Sequence, residues 1–325
     1  MYMLALLLYF LLSFSKRNDS VIVVLSRNSD KVQMKKTIQN FEEKFNKKHN
    51  YPYVFFNDKD WDSDFQNEMR KSTKSKLNFQ KIDAKSWNPP DTIDYKLASK
   101  SWAMMETQKV PYATELSYHN MCRFYSKDFF RHPSLQKYKY YWRLEPGVRF
   151  RCLIEDDPFE KMAENNFVYG FTISLYEFPA AITTLGKATA QFLREFNYLL
   201  PKNANRLTFM FENGKYNGCH FWSNFEIADF DFFRSELYTK YVDFLDEKGG
   251  FYYERWGDAP VHSLAAALFT DKSKIHFFEE IGYTHPPFTH CPKDNSKCDC
   301  VPEENFDGTS GSCLPRYFEN QAEKH

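Results

Sequence analysis

Two apolar runs separated by one helical pattern lie within the first 60 residues, and this order constrains the fold more than any other feature. Residues 21–25 are β-branched and apolar, which is typical of a strand buried on both faces, and residues 53–56 form a second such run. Between the runs, apolar side chains recur at helical spacing: Met34, Ile38, Phe41 and Phe45. A strand, a helix and a strand in this order form a βαβ unit, and the crossover rule makes the two strands parallel. We therefore expect an α/β fold.

A third buried strand is predicted at residues 140–144, and a single carboxylate follows it. This run is aromatic and apolar, and Pro146 ends it because proline cannot donate to a sheet ladder. Glu145 is therefore expected at the carboxyl end of the strand, where open α/β sheets bind their ligands. The alternative role for this carboxylate is a salt bridge with Arg143 or Arg149.

Polar residues also follow the first two strands. Arg27 comes shortly after the first strand, and Asn57 and Asp58 end the second. Because the carboxyl ends of parallel strands meet at one edge of a sheet, we expect these residues to lie at the same edge as Glu145 and to bind a nucleotide there. Polar loops occur at this edge in any fold of the class, so the pattern alone is not specific.

Three more residues are candidates for the same site. Glu226 lies in an aromatic run, residues 219–227, that we interpret as one strand. An unpaired carboxylate is costly to bury, so Glu226 is either ion-paired with an arginine or catalytic. Asp258 precedes a helix predicted at residues 261–269, and it either caps that helix or binds a sugar hydroxyl. His285 comes before two prolines, which places an imidazole on a rigid turn; a surface histidine without function is the alternative.

The composition limits the class of partner. The chain has 325 residues, with 43 basic and 43 acidic side chains. Nucleic-acid-binding proteins carry a basic excess on one face, so we expect no nucleic-acid partner. Hydrophobic residues make up 42% of the chain and aromatic residues 18%, which is enough for one sizeable core.

The N-terminus begins with an apolar run, residues 2–14, that is followed by Lys16 and Arg17. The run is shorter than the roughly 20 residues that span a bilayer. We interpret residues 1–15 as a signal peptide or a short signal-anchor, and residues 16–20 as a short linker. A buried strand is the alternative. Either targeting role places the rest of the chain in the lumen of the secretory pathway, with a membrane anchor at the N-terminus if the run is retained.

Four of the seven cysteines are concentrated near the C-terminus: Cys291, Cys298, Cys300 and Cys313. Disulfides are expected in an oxidising compartment. A zinc site is the alternative, but one residue rather than two separates the closest pair. We expect a disulfide-bonded tail, residues 291–325, packed on a catalytic domain that spans residues 21–290. At least one thiol stays free or pairs elsewhere, because seven is an odd number.

Five runs in this order resemble the fungal Golgi α-1,2-mannosyltransferases of glycosyltransferase family 15: residues 118–124, 141–146, 220–226, 253–263 and 282–287. The resemblance implies a GT-A type fold, a single domain with a mixed sheet and a nucleotide-binding half. It also implies a retaining enzyme of the Golgi or endoplasmic reticulum that uses Mn²⁺. Such enzymes transfer mannose from GDP-mannose to the 2-hydroxyl of an α-mannoside on glycoprotein glycans.

By matching position, the resemblance implies roles for four residues. Glu145 and His285 correspond to metal ligands, Glu226 to the proposed nucleophile and Tyr118 to an active-site tyrosine. One carboxylate and one imidazole suit Mn²⁺, and a divalent cation neutralises the charge that develops on a departing diphosphate. We add Asp258 to the catalytic set. The predicted nucleotide-binding residues are Arg27, Asn57, Asp58 and Arg143.

Two other functions fit the same residues. One is a lumenal mannoside-binding protein that has kept the fold and lost turnover. The other is an inverting hexosyltransferase, in which Asp258 would serve as the base towards the acceptor. For a retaining enzyme, the sequence also leaves two routes open, either a carboxylate nucleophile with two displacements or same-face attack by the acceptor.

Overall fold

The structure is a computed structural model that describes residues 19–202 and 204–322. The N-terminal apolar run, which we interpreted as a signal peptide or signal-anchor, lies outside the described residues. Within the described ranges, no helix has both the length and the apolar character needed to cross a bilayer.

One seven-stranded mixed sheet organises the domain. The strands, in chain order, are β1 (Ser20–Leu25), β2 (Tyr53–Asn57), β3 (Leu77–Lys81), β4 (Tyr140–Leu144), β5 (Arg149–Phe150), β6 (Tyr169–Phe171), β7 (Ser174–Tyr176), β8 (Phe211–Glu212), β9 (Lys215–Tyr216), β10 (Cys219–Phe221), β11 (Glu226–Asp229), β12 (Ile275–Phe277), β13 (Tyr283–His285) and β14 (Phe288–His290). The large sheet has the order β12-β6-β11-β4-β1-β2-β3. Strands β4, β1, β2 and β3 are parallel, whereas β11 runs antiparallel to both of its neighbours. The predicted βαβ unit and mixed α/β sheet are confirmed.

Helices pack on both faces of this sheet. The α-helices are Lys31–Phe41, Lys47–His49, Ser63–Ser72, Ala84–Trp87, Tyr95–Thr107, Leu116–Arg123, Pro158–Asn165, Leu185–Glu195, Phe230–Arg234, Glu236–Lys248, Gly250–Tyr253, Asp258–Phe269 and Leu314–Ala322. Several begin at an aspartate that accepts a backbone N–H of the first turn. Asp62 accepts from Phe65 N at 2.6 Å, and Asp94 accepts from Lys96 N at 2.9 Å. Such caps satisfy donors that have no partner inside the helix.

Alternate side chains of the parallel strands face two apolar cores. Along β1, Val21 and Val23 belong to one core, and Ile22 and Val24 belong to the other. This alternation is the two-residue period of a strand. The helix Lys31–Phe41 covers one face, and the helix Asp258–Phe269, buried along its whole length, covers the other. The sheet is therefore held rigidly from both sides, which fixes the edge where the carboxyl ends of β1, β2 and β4 meet.

The single strand predicted over residues 219–227 is wrong. Strand β10 pairs with β7 in a small two-stranded sheet, whereas β11 belongs to the large sheet. Between them the chain turns, with Phe225 N donating to Trp222 O at 3.2 Å. The aromatic run looked continuous because both strands and the turn are buried. The turn matters for the site because it places Ser223 at the same sheet edge as Glu145.

Strand β3 was not predicted, because only Leu77 and Phe79 among its five residues are apolar. It pairs with β2 at the edge of the large sheet, and most of its side chains are half-buried. Polar and charged side chains are common on such edge strands. Apolar side chains recur at helical spacing from Phe230 to Leu245, but this segment forms two helices. Ser235 lies between them as an N-cap and accepts from Tyr238 N at 3.2 Å.

The C-terminal tail is tied to the domain by disulfides. The three bonds are Cys152–Cys298, Cys219–Cys313 and Cys291–Cys300. Cys122 is free and buried. The sulfur atoms of Cys152, Cys298 and Cys300 lie within 4.8 Å of one another, but all three are oxidised and are not thiolate ligands for zinc. The prediction of disulfides rather than a zinc site is confirmed, and two of the bonds reach out of the tail.

Candidate active site

The carboxyl ends of β1, β2 and β4 open into a cavity of about 630 Å³. Strand β11 starts at this edge because it is antiparallel to β4, so the residues that precede it also face the cavity. Every residue predicted for the site except Glu226 lines this cavity: Arg27, Asn57, Asp58, Tyr118, Arg143, Glu145, Asp258 and His285. The topology therefore brings together residues that are separated by up to 258 positions in the chain, from Arg27 to His285.

Arg143 joins two carboxylates of the cavity wall. Its Nε donates to Glu145 Oε1 at 2.8 Å, and its Nη1 donates to Asp258 Oδ2. The guanidinium lies 3.6 Å from the ring centroid of Tyr125, which is a cation–π contact. Burial alone would lower the pKa of Arg143, but the charges of Asp258 and Glu145 raise it well above its ordinary value. Arg143 lines the cavity, and its role in binding a nucleotide stays a prediction, while the nitrogens named here donate to the cavity wall.

Glu145 and His285 direct lone pairs towards each other. Glu145 Oε2 lies 3.9 Å from His285 Nε2, and both side chains are partly exposed. The other imidazole nitrogen, Nδ1, lies 3.0 Å from the carbonyl oxygen of Pro286, which can only accept a hydrogen bond. Nδ1 therefore carries the proton and Nε2 is free to coordinate. Metal-ligating histidines have this arrangement, with the second nitrogen donating to a carbonyl. These two residues fit a divalent cation.

Asp258 is a buried charge on the cavity wall. It does not cap the helix that it begins, because the N-cap position is Gly257. Its Oδ2 accepts from Ser223 Oγ at 2.7 Å as well as from Arg143. Burial alone would raise the pKa of Asp258, but the charge of Arg143 holds it below its ordinary value. The carboxylate is therefore ionised at neutral pH, and a fixed negative charge in a desolvated wall stabilises positive charge that develops beside it.

Glu226 lies behind the cavity wall and is fully buried. No arginine within residues 19–202 and 204–322 pairs with it. Tyr169 Oη donates to Oε2 at 2.5 Å, Tyr141 Oη donates to Oε1, and His262 Nδ1 lies 2.8 Å from Oε2. The register of the sheet sets Glu226 opposite Arg143 on the neighbouring strand. The carboxylate is thus fully hydrogen-bonded and is not part of the cavity lining.

A buried amide marks the edge predicted to bind a nucleotide. Asn57 is 2% exposed, and its Nδ2 has no hydrogen-bond partner among the described residues. A buried donor without a partner requires an explanation, and a ligand in the cavity supplies one. On the same side of the cavity, Arg27 Nη2 donates to Ser117 Oγ at 2.7 Å.

Glu177, Ser223 and Arg255 also line the cavity, and no role was predicted for them. Arg255 donates from Nη2 to Glu177 Oε1 at 2.7 Å and from Nη1 to Tyr118 Oη at 3.3 Å. Arg255 and Ser223 lie within two of the five runs that carry the family resemblance, and this was the available signal for them. Glu177 follows β7, whose small sheet was not predicted.

A sequence profile described as glycolipid 2-alpha-mannosyltransferase matches residues 9–322 of the chain. The chain is 44% identical over 301 residues to the O-glycoside alpha-1,2-mannosyltransferase homolog 2 of Schizosaccharomyces pombe, covering 92% of this chain and 81% of that protein. It is 41% identical over 309 residues to the alpha-1,2 mannosyltransferase KTR1 of Saccharomyces cerevisiae, covering 93% and 78%.

Two solved structures are similar throughout. Core-mannan synthase A (CmsA/Ktr4) from Aspergillus fumigatus, in an Mn/GDP form, superposes with a TM-score of 0.89 and 40% identity, covering 93% of this chain and 85% of that one. The mannosyltransferase Ktr4p from S. cerevisiae in complex with GDP gives a TM-score of 0.89 and 41% identity, covering 95% and 83%. The site described above therefore lies in a fold that is shared with proteins solved with GDP.

Proposed function

The chain belongs to the glycolipid 2-alpha-mannosyltransferase family, glycosyltransferase family 15, and from this premise we propose that it is a retaining α-1,2-mannosyltransferase. The donor is GDP-mannose and the acceptor is the 2-hydroxyl of an α-mannoside on glycoprotein glycans. The observation that carries the proposal is the pairing of Glu145 with His285 beside the Asp258 carboxylate in one cavity. Relatives named alpha-1,2-mannosyltransferases and GDP-bound structural neighbours support it.

Glu145 and His285 are the residues that would hold Mn²⁺. When bound, the cation supplies neutralisation of the charge on the departing diphosphate. Arg143 acts here as a positioning residue, because it binds Glu145 Oε1 and leaves Oε2 directed at the imidazole. The nucleoside lies towards the ends of β1 and β2, where Arg27, Asn57 and Asp58 line the cavity.

Asp258 faces the transferred sugar. The bond between the anomeric carbon and the diphosphate breaks with its electron pair leaving on GDP, so positive charge develops on the sugar ring. Asp258 stabilises that charge, and Tyr118, held by Arg255, contacts the same space. The new bond forms from the acceptor oxygen on the same face, and its proton leaves with the diphosphate. A covalent route through Glu226 is less favoured, since both of its oxygens are hydrogen-bonded within the core.

Glu226 supports catalysis from behind the wall as a buried negative charge. It lies opposite Arg143 on the neighbouring strand and binds His262, which is one helical turn after Asp258. The charge thus helps to fix the two elements that carry the wall. Glu226 thus acts through the residues that it holds and not as the nucleophile that the resemblance implied.

The cellular setting follows from the disulfides. Three disulfides are typical of a protein that folds in the secretory pathway. We place the catalytic domain, residues 21–290, and its disulfide-bonded tail, residues 291–325, in the lumen of the Golgi or endoplasmic reticulum. Residues 1–15 serve as signal peptide or signal-anchor, and residues 16–20 as linker.

The test is incubation of the purified protein with GDP-mannose, Mn²⁺ and α-methyl mannoside, followed by NMR of the product. An α-1,2-linked dimannoside is expected. A β-linked product would identify an inverting enzyme. Binding of GDP and Mn²⁺ without any product from mannosides would contradict the proposed transferase activity.

A further inference from the structure

The cavity contains a second charged pair, and the proposed chemistry uses only one of its contacts, the hydrogen bond from Arg255 to Tyr118. Arg255 donates from Nη2 to Glu177 Oε1 at 2.7 Å, and the two side chains are 4% and 10% exposed. Both line the cavity. Gly257 lies between this pair and Asp258 of the cavity wall. A Cβ atom added to Gly257 would lie 3.6 Å from Glu177 Oε2, and Asp258 is the next residue in the chain. The pair is therefore next to the carboxylate that faces the transferred sugar.

Each side chain of this pair has one polar atom without a hydrogen-bond partner among the described residues. Arg255 Nε is buried and has no hydrogen-bond partner among the described residues. Glu177 Oε1 accepts from both Arg255 and Phe178 N, whereas no bond to Oε2 is found in the described part of the chain. Buried charged groups normally satisfy their full hydrogen-bonding capacity. One donor and one acceptor without a partner, carried by two side chains in contact, match a ligand that offers both, as two neighbouring hydroxyls do.

Apolar surfaces flank these groups. The Arg255 guanidinium lies 5.3 Å from the ring centroid of Tyr118, and Tyr112 stacks on Tyr118 with centroids 4.6 Å apart and planes at 15°. Phe178 also lines the cavity and is 47% exposed. Ligand sites combine such aromatic walls with a few polar groups that fix the orientation of the ligand. A pyranose ring has both an apolar face and a polar edge, and so it suits this arrangement.

We infer that Glu177 and Arg255 form the acceptor-sugar subsite, in which they bind two neighbouring ring hydroxyls of the acceptor other than the one that reacts. Arg255 Nε donates to one hydroxyl oxygen, and Glu177 Oε2 accepts from the other hydroxyl. This inference rests on the proposed function. It makes the pair a determinant of acceptor specificity, because a site built to hydrogen-bond a hydroxyl discriminates strongly against a substrate that lacks it.

The test compares wild type with Glu177→Gln on α-methyl mannoside and on its 3-, 4- and 6-deoxy analogues. In the variant, the KM for α-methyl mannoside should rise roughly 10- to 100-fold, the effect of losing one charge-assisted hydrogen bond. The affinity for GDP with Mn²⁺ should change less than threefold. One deoxy analogue should be a poorer substrate than α-methyl mannoside for wild type. For the variant, the same analogue should be as good a substrate as α-methyl mannoside, because the carboxylate and the missing hydroxyl form a single interaction.

Glu254→Gln is the matched control. Glu254 accepts from Thr184 Oγ1 at 2.7 Å and from Trp256 Nε1 at 2.7 Å, and it does not line the cavity. Its replacement should lower the melting temperature and leave the acceptor KM unchanged. Arg255→Lys, which keeps the charge and removes the planar fork, should reproduce the change in acceptor KM.

Two outcomes would overturn the inference. If the removal of each hydroxyl lowers kcat/KM by the same factor in Glu177→Gln as in wild type, the carboxylate does not contact the acceptor. If Glu177→Gln and Arg255→Lys change only the melting temperature or the affinity for GDP, the pair is structural or belongs to the donor side. Failure of the proposed function is a separate result, since the wild-type protein would then give no mannosyl transfer to any acceptor, and the inference would fall with it.

Discussion

His262 and Glu226 form a hydrogen-bonded pair in the centre of the domain. His262 Nδ1 lies 2.8 Å from Glu226 Oε2, and its Nε2 lies 3.1 Å from the carbonyl oxygen of Tyr125. A carbonyl can only accept, so Nε2 carries a hydrogen. Glu226 also accepts from the hydroxyls of Tyr141 and Tyr169. The pair is fully buried, and these hydrogen bonds satisfy the carboxylate without an arginine among the described residues.

The first prediction is that Glu226→Gln loses turnover and keeps donor binding. The amide places a donor where the hydroxyls of Tyr141 and Tyr169 and the His262 N–H need an acceptor. We expect turnover to fall at least ~10²-fold, the melting temperature to fall by only a few degrees, and GDP affinity to persist. Tyr169→Phe, which removes one donor and keeps the charge, should cost less activity. Near-normal turnover in a folded Glu226→Gln protein would remove Glu226 from the mechanism.

The second prediction concerns the metal. Glu145→Gln and His285→Gln should each weaken Mn²⁺-dependent GDP binding at least ~10²-fold, since replacing even a group behind a ligand costs 10- to 100-fold. Calorimetry of GDP with and without Mn²⁺ measures this. His276→Gln is the control, because this half-buried histidine lies on β12 and stacks on Phe167 away from the cavity lining. Unchanged Mn²⁺ dependence in both site variants would place the cation elsewhere.

The third prediction separates charge from packing at Asp258. Asp258→Asn keeps the shape and removes the charge that faces the sugar, so turnover should fall ~10²- to 10³-fold with GDP affinity little changed. Arg143 would keep Glu145 as a partner, so the protein should still fold. Ser223→Ala removes only a neutral hydrogen bond to the same oxygen and should have a smaller effect on turnover. Equal losses in the two variants would contradict a role for the charge.

The sequence predicted where the site lies but not how its charges are paired. Arg27, Asn57 and Glu145 follow parallel strands, and parallel strands bring their carboxyl ends to one edge whatever the details of packing. Asp258 and His285 came from the resemblance and from their local context. In each case a short stretch of chain carried the signal.

The pairings depend on long-range contacts that leave no local pattern. The partners of Glu226 come from β4, β6 and the helix Asp258–Phe269, and none is within 30 residues of it in sequence. The Glu177–Arg255 pair joins residues 78 positions apart. The turn that separates β10 from β11 was missed for another reason, since Trp222 and Phe225 flank its two polar residues, Ser223 and Asn224, and make the aromatic run look continuous.

The fourth prediction concerns the thiols. After unfolding without a reductant, an alkylating reagent should label one cysteine, Cys122, and the native protein should not be labelled because that residue is buried. Cys313→Ser opens a loop that spans 94 positions and should lower the free energy of unfolding by about 5 kcal/mol in the chain-entropy description. Cys122→Ala should cost less. Labelling of several cysteines in the unfolded, unreduced protein would contradict the disulfide pattern.

The last prediction is a pH dependence of stability at Asp128. Burial raises the pKa of this carboxyl to about 6, against an ordinary value of 3.8, although Arg123 opposes the shift. Its Oδ2 is buried without a hydrogen-bond partner among the described residues. The folded state therefore holds the proton more tightly than the unfolded state, and stability falls as the pH rises from about 4 to about 6, by about 2–3 kcal/mol. Asp128→Asn removes this titration. Its free energy of unfolding should gain on wild type across that interval and keep the advantage at pH 7, measured by urea unfolding at each pH.

Asp246→Asn provides the opposite case, because hydrogen bonds from Arg123 and Lys127 lower the pKa of Asp246 against the effect of burial. That carboxylate stabilises the fold above its unfolded pKa, so its loss should destabilise the protein most at neutral pH. A difference between Asp128→Asn and wild type that does not vary with pH would show that Asp128 stays ionised throughout.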